Sequence, residues 1–232
     1  MKRMDLNADL GEGAPHDEAL LEWVTSANVG CGEHAGSWEL TRQTVARCKE
    51  LGVRVGAHPG YPDREGLGRV SPTAPQRKVW LASVREQTLR FFEAFEPAYV
   101  KPHGALYNDA ARGEMWAIEA LMALLAETGV PLMGLAEAGR DGPVHAAIAQ
   151  LAGVPFIAEG FVDRGYDARG FLLPRGTPGA LLKSPETASA QALALAGKCR
   201  SLCVHGDSPG CVEIMAAVRF ALEAKGWEVA AC

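Results

Sequence analysis

The sequence predicts an α/β protein whose parallel strands close, or nearly close, into a barrel with the helices outside. Strand-like runs alternate with helix-like runs from end to end, giving seven βα units in 232 residues, and this alternation favours a parallel sheet. Candidate functional residues follow nearly every predicted strand, whereas the crevice of an open sheet would concentrate them at one place. We therefore expect a single β/α-barrel domain over residues 1–232.

Short apolar runs bounded by turn-forming or polar residues are predicted to be the strands. They are Met4–Ala8, Ala27–Cys31, Val53–Ala57, Tyr99–Lys101, Pro131–Leu135, Pro155–Ala158 and Ser201–Val204. Along the first strand and directly after it, Asp5, Asn7 and Asp9 alternate, so they share one face, which points inward in a barrel. Acids on a buried face are costly unless they are functional or form a structural ion pair with Lys or Arg, and both interpretations stay open.

Helical patterns occupy the longer segments between these strands. They are Trp38–Leu51, Thr73–Phe95, Glu114–Thr128, Pro185–Lys198 and Pro209–Lys225. Thr73–Phe95 carries an apolar stripe. Trp38–Leu51 and Glu114–Thr128 each precede a glycine that suits a C-cap. The two segments that begin with proline each follow a serine that suits an N-cap. The stretch Pro59–Pro75, rich in proline and glycine, predicts a long loop on the catalytic side that can act as a lid.

Composition and charge exclude several classes of partner. Hydrophobic content of 48% and charged content of 22% are typical of a globular protein. A net charge of −5 without a Lys/Arg cluster argues against nucleic acid. We expect neither membrane association nor export, and hence a cytoplasmic protein, because no run is apolar enough to span a membrane or serve as a signal core. The six cysteines lack a CxxC pair and are expected to be reduced, with a disulfide or zinc–thiolate site as the alternative.

Four of the six histidines occupy the same local setting, each closing an apolar run before a small or turn-forming residue. They are His34, His58, His103 and His205. At the carboxyl ends of barrel strands they can act as metal ligands, general acids or bases, or hydrogen-bond donors to a substrate. No HxH or HExxH spacing is present, so the sequence does not show whether the protein binds a divalent ion tightly. If it does, the candidate ligands are Asp9, His34, His58 and His103. The remaining His16 and His145 are expected to be structural.

Other polar side chains follow the same strand ends. Lys101 is expected at the mouth of the barrel, where it can hold an anionic group, with a simple rim lysine as the alternative. Arg164, after the sixth strand, can bind a carboxylate with its planar fork, and Arg175 is a second candidate. Each of the three asparagines, Asn7, Asn28 and Asn108, lies in such a segment. The sequence has neither a Walker phosphate loop nor a GxSxG serine-hydrolase motif.

Six segments together resemble the LamB/YcsF family, described as the A subunits of bacterial 5-oxoprolinase. They are Asp5–Gly13, Thr25–Gly36, Gly56–Asp63, Val100–Asn108, Asp163–Tyr166 and Cys203–Asp207. The resemblance runs in order from Met4 to about Gly226, and its blocks HPGYPD and KPHGALYN are long enough to be specific. The chain departs from the family pattern in the first two loops, at Pro15–His16, Glu33 and Ser37–Trp38.

The resemblance implies a seven-stranded, irregular TIM-like β/α barrel of the glycoside hydrolase/deacetylase type. It also implies opening of the 5-oxoproline lactam to glutamate, driven by ATP with Mg, together with partner subunits B and C. Such a reaction needs cations near phosphate, a base and donors at the oxyanion. The expected catalytic residues are Asp9, His58, Lys101 and His103. The expected substrate-binding residues are Asn7, Glu12, His34, Asn108, Arg164, His205 and Asp207, although the sequence leaves the division of roles open.

Two other functions are compatible with the same residues. One is a metal-dependent amidohydrolase or deacetylase that acts alone, by analogy with the barrel type. The other is a non-catalytic subunit that only binds substrate or partners. A 5-oxoprolinase requires ATP, whereas a metal-dependent amidohydrolase that acts alone does not. In a subunit that only binds substrate or partners, active-site substitutions weaken binding without changing a step of turnover.

Overall fold

A computed structural model describes residues 2–139 and 141–232. The strands are β1 (Lys2–Leu10), β2 (Ser26–Gly30), β3 (Arg54–His58), β4 (Leu132–Leu135), β5 (Phe156–Phe161), β6 (Ser201–Cys203) and β7 (Trp227–Val229). The helices are α1 (Asp17–Leu21), α2 (Trp38–Leu51), α3 (Arg77–Phe95), α4 (Gly104–Ala111), α5 (Met115–Thr128), α6 (His145–Leu151), α7 (Pro185–Leu195) and α8 (Cys211–Ala224). Within the described ranges, no helix is both long and apolar enough to cross a membrane.

The strands form a parallel sheet that curls into the expected barrel. Their order is β3-β2-β1-β6-β5-β4, with parallel pairing throughout. Val100 forms parallel bridges to Ala57 of β3 and to Leu132 of β4, so the short segment around it joins the two edges of the sheet. The predicted irregular β/α barrel is therefore confirmed, and the segment 99–101 completes its ring.

Two details of the strand prediction are wrong. The segment Tyr99–Lys101 makes single-residue bridges rather than a strand, because Pro97 and Pro102 flank it and proline has no N–H to extend a ladder. The C-terminal strand β7 was not expected. It pairs with Lys2–Met4, the part of β1 that precedes its pairing with β2 and β6.

All five predicted helices are present, although several begin or end a few residues from the predicted positions. Ser184 caps α7 by accepting a hydrogen bond from the Thr187 N–H, as expected. The expectation that Ser208 caps the last helix is wrong. Helix α8 begins at Cys211, after Gly210 in a left-handed conformation, because the Ser208 hydroxyl donates instead to Asp163. The short helices α1 and α4 were not expected; α4 starts directly after His103, at a strand-end segment.

The two faces of β1 divide the apolar core from the barrel interior. Met4, Leu6, Ala8 and Leu10 belong to the main apolar core cluster, whereas Asp5, Asn7 and Asp9 are buried on the alternate positions. The Asp5 carboxylate accepts hydrogen bonds from hydroxyls of neighbouring strands (Thr25, Ser26 and Ser201), which satisfies a charge that would otherwise be costly to bury. The predicted alternation is thus confirmed, and it carries polar groups up to the carboxyl end of the strand.

Candidate active site

A cavity of about 460 Å³ opens at the carboxyl ends of the barrel strands. This volume lies within the range of small-molecule sites in proteins. Six of the predicted site residues line it directly, together with Asn108 from helix α4. They are Asp9, His58, Lys101, His103, Arg164 and His205. These residues come from separate segments along the whole chain, and they meet here because the barrel closes.

Lys101 lies inside the barrel rather than at its mouth. Its side chain is 2% exposed, and its Nζ lies 2.9 Å from Asp9 Oδ1 and 2.9 Å from Glu159 Oε1. Burial disfavours the ammonium, but the carboxylates, Asp9 foremost, hold the pKa of Lys101 well above its usual value. The expected position at the mouth is therefore wrong, and so is the alternative of a simple rim lysine. A doubly paired ammonium is poorly placed to bind a further anion, and its contacts instead orient Asp9.

His58 and His103 face each other on the floor of the cavity. His58 Nδ1 donates to the Lys101 carbonyl at 2.7 Å, and His103 Nε2 donates to the Leu67 carbonyl at 2.9 Å. These contacts fix both rings, because a carbonyl oxygen can only accept. The remaining nitrogens, His58 Nε2 and His103 Nδ1, lie 2.9 Å apart. Asp9 Oδ2 lies 3.5 Å from His58 Nε2 and so joins this floor cluster.

Glu12 adds a second carboxylate to the floor cluster, and His34 supports it. Glu12 Oε1 lies 3.1 Å from His103 Nδ1 and 2.9 Å from His34 Nε2. Burial acts against the carboxylate, but His103 and His34 hold the pKa of Glu12 well below its usual value. Burial lowers the pKa of His34 to about 4, with a further contribution from His103, so the ring is neutral near pH 7.

His34 itself does not reach the cavity. It is fully buried and stacks on His103 with the ring centroids 3.9 Å apart. The loop after β3 covers both rings tightly: a Cβ at Gly68 would lie 2.9 Å from the Cβ of His34. This placement disfavours direct contact between His34 and a substrate. Its hydrogen bond and stacking hold Glu12 and His103 in place.

His205 is oriented by a carboxylate that the sequence prediction left out of the site. Asp163 lies 3.1 Å from His205 Nδ1 through each of its oxygens and also accepts from the His205 backbone N–H. Burial disfavours the Asp163 carboxylate, but His205 and Ser208 hold its pKa below the usual value. With Nδ1–H donating to Asp163, the Nε2 of a neutral His205 carries a lone pair. The sequence did offer a signal for this residue, because Asp163 is the acid that follows β5 within the segment Glu159–Tyr166.

Arginines form the rim of the cavity. Arg69 and Arg175 donate to the same carboxylate, Asp207, at 2.5 and 3.1 Å. Arg164 donates to the carbonyls of Leu173 and Ala180; its burial and the nearby Arg175 lower its pKa. Three guanidinium groups around one carboxylate leave an excess of positive charge, which suits an anionic ligand. Asp207 is engaged in these ion pairs, so its direct contact with a substrate is disfavoured.

The predicted asparagines divide between the cavity and the layer below it. Asn108 lines the cavity and donates to the Gly104 carbonyl one turn back in α4. Asn7 is fully buried and bonded to Ser201 and Asn28, beneath Asp9. Direct substrate contact by Asn7 is therefore disfavoured. The six cysteines are all free thiols, as expected.

Comparisons with known proteins agree with one another over nearly the whole chain. The LamB/YcsF family model matches residues 4–232. The chain is 38% identical to the 5-oxoprolinase A subunit of Neisseria meningitidis serogroup C (strain 053442), with all of both chains covered. It is 40% identical to the 5-oxoprolinase A subunit of Chloroflexus aggregans (strain MD-66 / DSM 9485), over 97% of each chain.

Solved structures give the same family likeness and a wider likeness of fold. The crystal structure of the lactam utilization protein from Thermus thermophilus matches with a TM-score of 0.82 and 32% identity, over 99% of this chain and 100% of that one. A family 4 carbohydrate esterase from Streptomyces lividans matches with a TM-score of 0.53 and 11% identity, over 98% and 91%. At such low identity the second match concerns the fold alone, and it agrees with a deacetylase-type barrel.

Proposed function

Because this chain belongs to the LamB/YcsF family, we propose that it is the A subunit of a 5-oxoprolinase. In this proposal it takes part in opening the lactam of 5-oxoproline to glutamate with hydrolysis of ATP, as a complex with B and C subunits. Relatives with this name match the chain from end to end at 38% to 40% identity. A solved relative is named a lactam utilization protein.

The observation that carries the proposal is the division of charge across the cavity. The floor holds carboxylates and imidazoles around Asp9 and His58, and the rim holds an excess of guanidinium groups around Arg164 and Arg175. 5-Oxoproline has a matching division, with a carboxylate on one side of its ring and an uncharged amide on the other. The cavity also exceeds this small ring in volume, which leaves room for a phosphoryl group.

The proposed chemistry activates an amide that is otherwise inert to water. Attack of the lactam oxygen on the γ-phosphorus of ATP forms an O–P bond and releases ADP, which makes the ring carbon electrophilic. Water then adds to that carbon, and opening of the ring with loss of phosphate yields glutamate. The reaction therefore needs a group that binds the substrate carboxylate, a proton acceptor for water, and a rigid floor.

The residues of this chain divide these tasks in the proposal. Arg164 and Arg175 bind the substrate carboxylate through charge-assisted hydrogen bonds. His205 accepts the proton of the attacking water at Nε2, because Asp163 holds its Nδ1–H. Asp9 polarises the reacting groups on the floor, and Lys101 keeps that carboxylate ionised and oriented.

The test is reconstitution with candidate B and C subunits. Formation of glutamate and ADP from 5-oxoproline and ATP is measured for the complete set and with each component omitted. We expect coupled turnover only from the complete set with ATP present. A complex that assembles but produces neither glutamate nor ADP would contradict the proposal.

A second candidate is a metal-dependent amidohydrolase or deacetylase that acts alone. The cluster of Asp9, His58 and His103, whose candidate ligand atoms all lie within 4.8 Å of one another, favours it. Hydrolysis of an amide or acetyl substrate by the isolated chain without ATP would support this function over the first.

A further inference from the structure

When His58 and His103 are both neutral, two lone pairs face each other on the cavity floor. Each neutral ring has its proton on the nitrogen that donates to a backbone carbonyl, of Lys101 for His58 and of Leu67 for His103. The inner nitrogens, His58 Nε2 and His103 Nδ1, are then both acceptors, yet they lie only 2.9 Å apart. Such a contact is stable only with a positive charge between or beside the two nitrogens.

Several separations around His58 Nε2 and His103 Nδ1 are close to the edges of a metal coordination sphere. The distance from His58 Nε2 is 3.5 Å to Asp9 Oδ2 and 3.6 Å to Glu12 Oε1, and that oxygen lies 3.1 Å from His103 Nδ1. Ligands about 2.1 Å from a metal ion are separated by about 3.0 Å in an octahedron and about 3.4 Å in a tetrahedron. The candidate ligand atoms of Asp9, His58 and His103 all lie within 4.8 Å of one another, close enough to share one ion.

The surroundings of this cluster also suit a divalent cation. Carboxylates outnumber cationic side chains there, with Asp9, Glu12 and Glu159 set against the single ammonium of Lys101. Histidines that bind metals usually donate their other N–H to a carbonyl or carboxylate, as both rings do here. Glu12 is in turn held by His34 at 2.9 Å.

We propose that Asp9, His58 and His103 bind one divalent transition-metal ion on the cavity floor. Glu12 lies beside the cluster, 3.1 Å from His103 Nδ1, and belongs to a second group with His34 and His103. A shared proton would relieve the contact between the two rings, but it bridges only two atoms at a time, whereas a metal ion also binds the Asp9 carboxylate. Two imidazoles with one carboxylate suit Zn²⁺, and the set also accepts Co²⁺ or Fe²⁺. The proposal does not depend on lactam opening, because binding is measured directly.

Metal binding by the full chain is the test. Protein stripped with a chelator is titrated with Zn²⁺ by calorimetry, and the bound metal is counted by elemental analysis after dialysis. Visible absorption of the Co²⁺ form reports the ligand geometry without any substrate. We expect one ion per chain. Because loss of residues that merely support metal ligands costs roughly 10–100-fold in affinity, His58→Gln should cost at least about a hundredfold.

The control variant is His205→Gln, which removes an imidazole from the same cavity but outside the cluster. It should bind Zn²⁺ like the wild type, and Asp9→Asn should bind it at least about tenfold more weakly. Circular dichroism checks that each variant folds. If His58→Gln does not fold, the metal stoichiometry and the Co²⁺ spectrum of the wild type test the proposal instead. Absence of a stoichiometric ion from the wild type, or equal loss of binding in His205→Gln, would overturn the proposal.

Discussion

Replacing Lys101 by methionine tests the ion pairs that organise the barrel interior. Methionine keeps most of the length and volume of the side chain but removes its charge. The Asp9 and Glu159 carboxylates, each 2.9 Å from Nζ in the wild type, then lose their shared partner. Glu159 is 0% exposed, so water cannot replace the ammonium there, and Asp9 is only 7% exposed. We therefore expect a large loss of stability, in contrast to the small effect of substituting a lysine at the rim.

The magnitude follows from the cost of an unpaired buried charge. Removing one partner of a buried ion pair costs about 3–5 kcal/mol. In a protein of this size each kcal/mol corresponds to about 2–4 °C in Tm, so Lys101→Met should melt roughly 6–20 °C below the wild type. The matched control is Lys183, which lies outside the barrel interior, and Lys183→Met should change stability by no more than about 0.5 kcal/mol.

The pH dependence identifies the cause of the loss. In the wild type burial acts against the Asp9 carboxylate, but Lys101, His58 and His205 together hold its pKa well below its unfolded value. This carboxylate therefore stabilises the fold above that value and ceases to do so as pH falls. In the variant, burial without the ammonium raises the pKa of Asp9, and protonation then relieves the strain. The difference in unfolding free energy between wild type and variant should thus shrink from pH 7.5 to pH 4.5.

Urea unfolding at several pH values, followed by circular dichroism, measures this difference. The double variant Lys101→Met/Glu159→Gln removes one stranded acid and should recover part of the loss, with a coupling of about 0.5–3 kcal/mol. A loss below about 1 kcal/mol, or one that is the same at all pH values, would refute the electrostatic account of Lys101. Packing alone would then explain its burial.

Further predictions concern the cavity and the barrel wall. In the reconstituted complex, His205→Asn should lower kcat by about 10²–10⁴-fold with little change in Tm. Asp163→Asn should shift the pH profile of kcat. An unchanged kcat in His205→Asn would show that His205 is not the base. Arg175→Gln should raise KM for 5-oxoproline by about tenfold or more and change kcat less, since it removes a charge-assisted contact; an unchanged KM in initial-rate assays would place the substrate carboxylate elsewhere. A Cβ at Gly56 would overlap the buried ring of Tyr99, so Gly56→Ala should cost about 1–3 kcal/mol in urea unfolding, and a neutral result would show that the ring can move.

Local sequence patterns predicted much of the fold and the positions of most site residues. Asp5, Asn7 and Asp9 alternate within one strand, so their shared face could be predicted without knowing which strands lie beside it. Glycine or proline after an apolar run ends the strand wherever it packs, which placed His58 and His103 correctly at the carboxyl ends. The same local rules missed β7, whose three residues have no pattern of their own and are held by β1.

Partners across the barrel could not be predicted in this way. Lys101 and Asp9 are 92 positions apart, and Tyr107 donates to Glu159 across 52 positions, so no spacing in the chain relates them. For the same reason the sequence included Asp207 among the ligand contacts, although Arg69 from a distant loop neutralises it. It also missed Asp163 as the residue that orients His205.

The sequence by itself determined the β/α barrel, the family and the set of ionisable side chains at one end of the strands, because periodicity, chain breakers and motif blocks are local. Only the tertiary structure decided which of these groups face one another. Closure of the ring through Val100 brings the inner nitrogens of His58 and His103 to 2.9 Å and sets Lys101 between two carboxylates. Protonation, ion pairing and metal affinity depend on such distances between side chains, and those distances exist only once the barrel has closed.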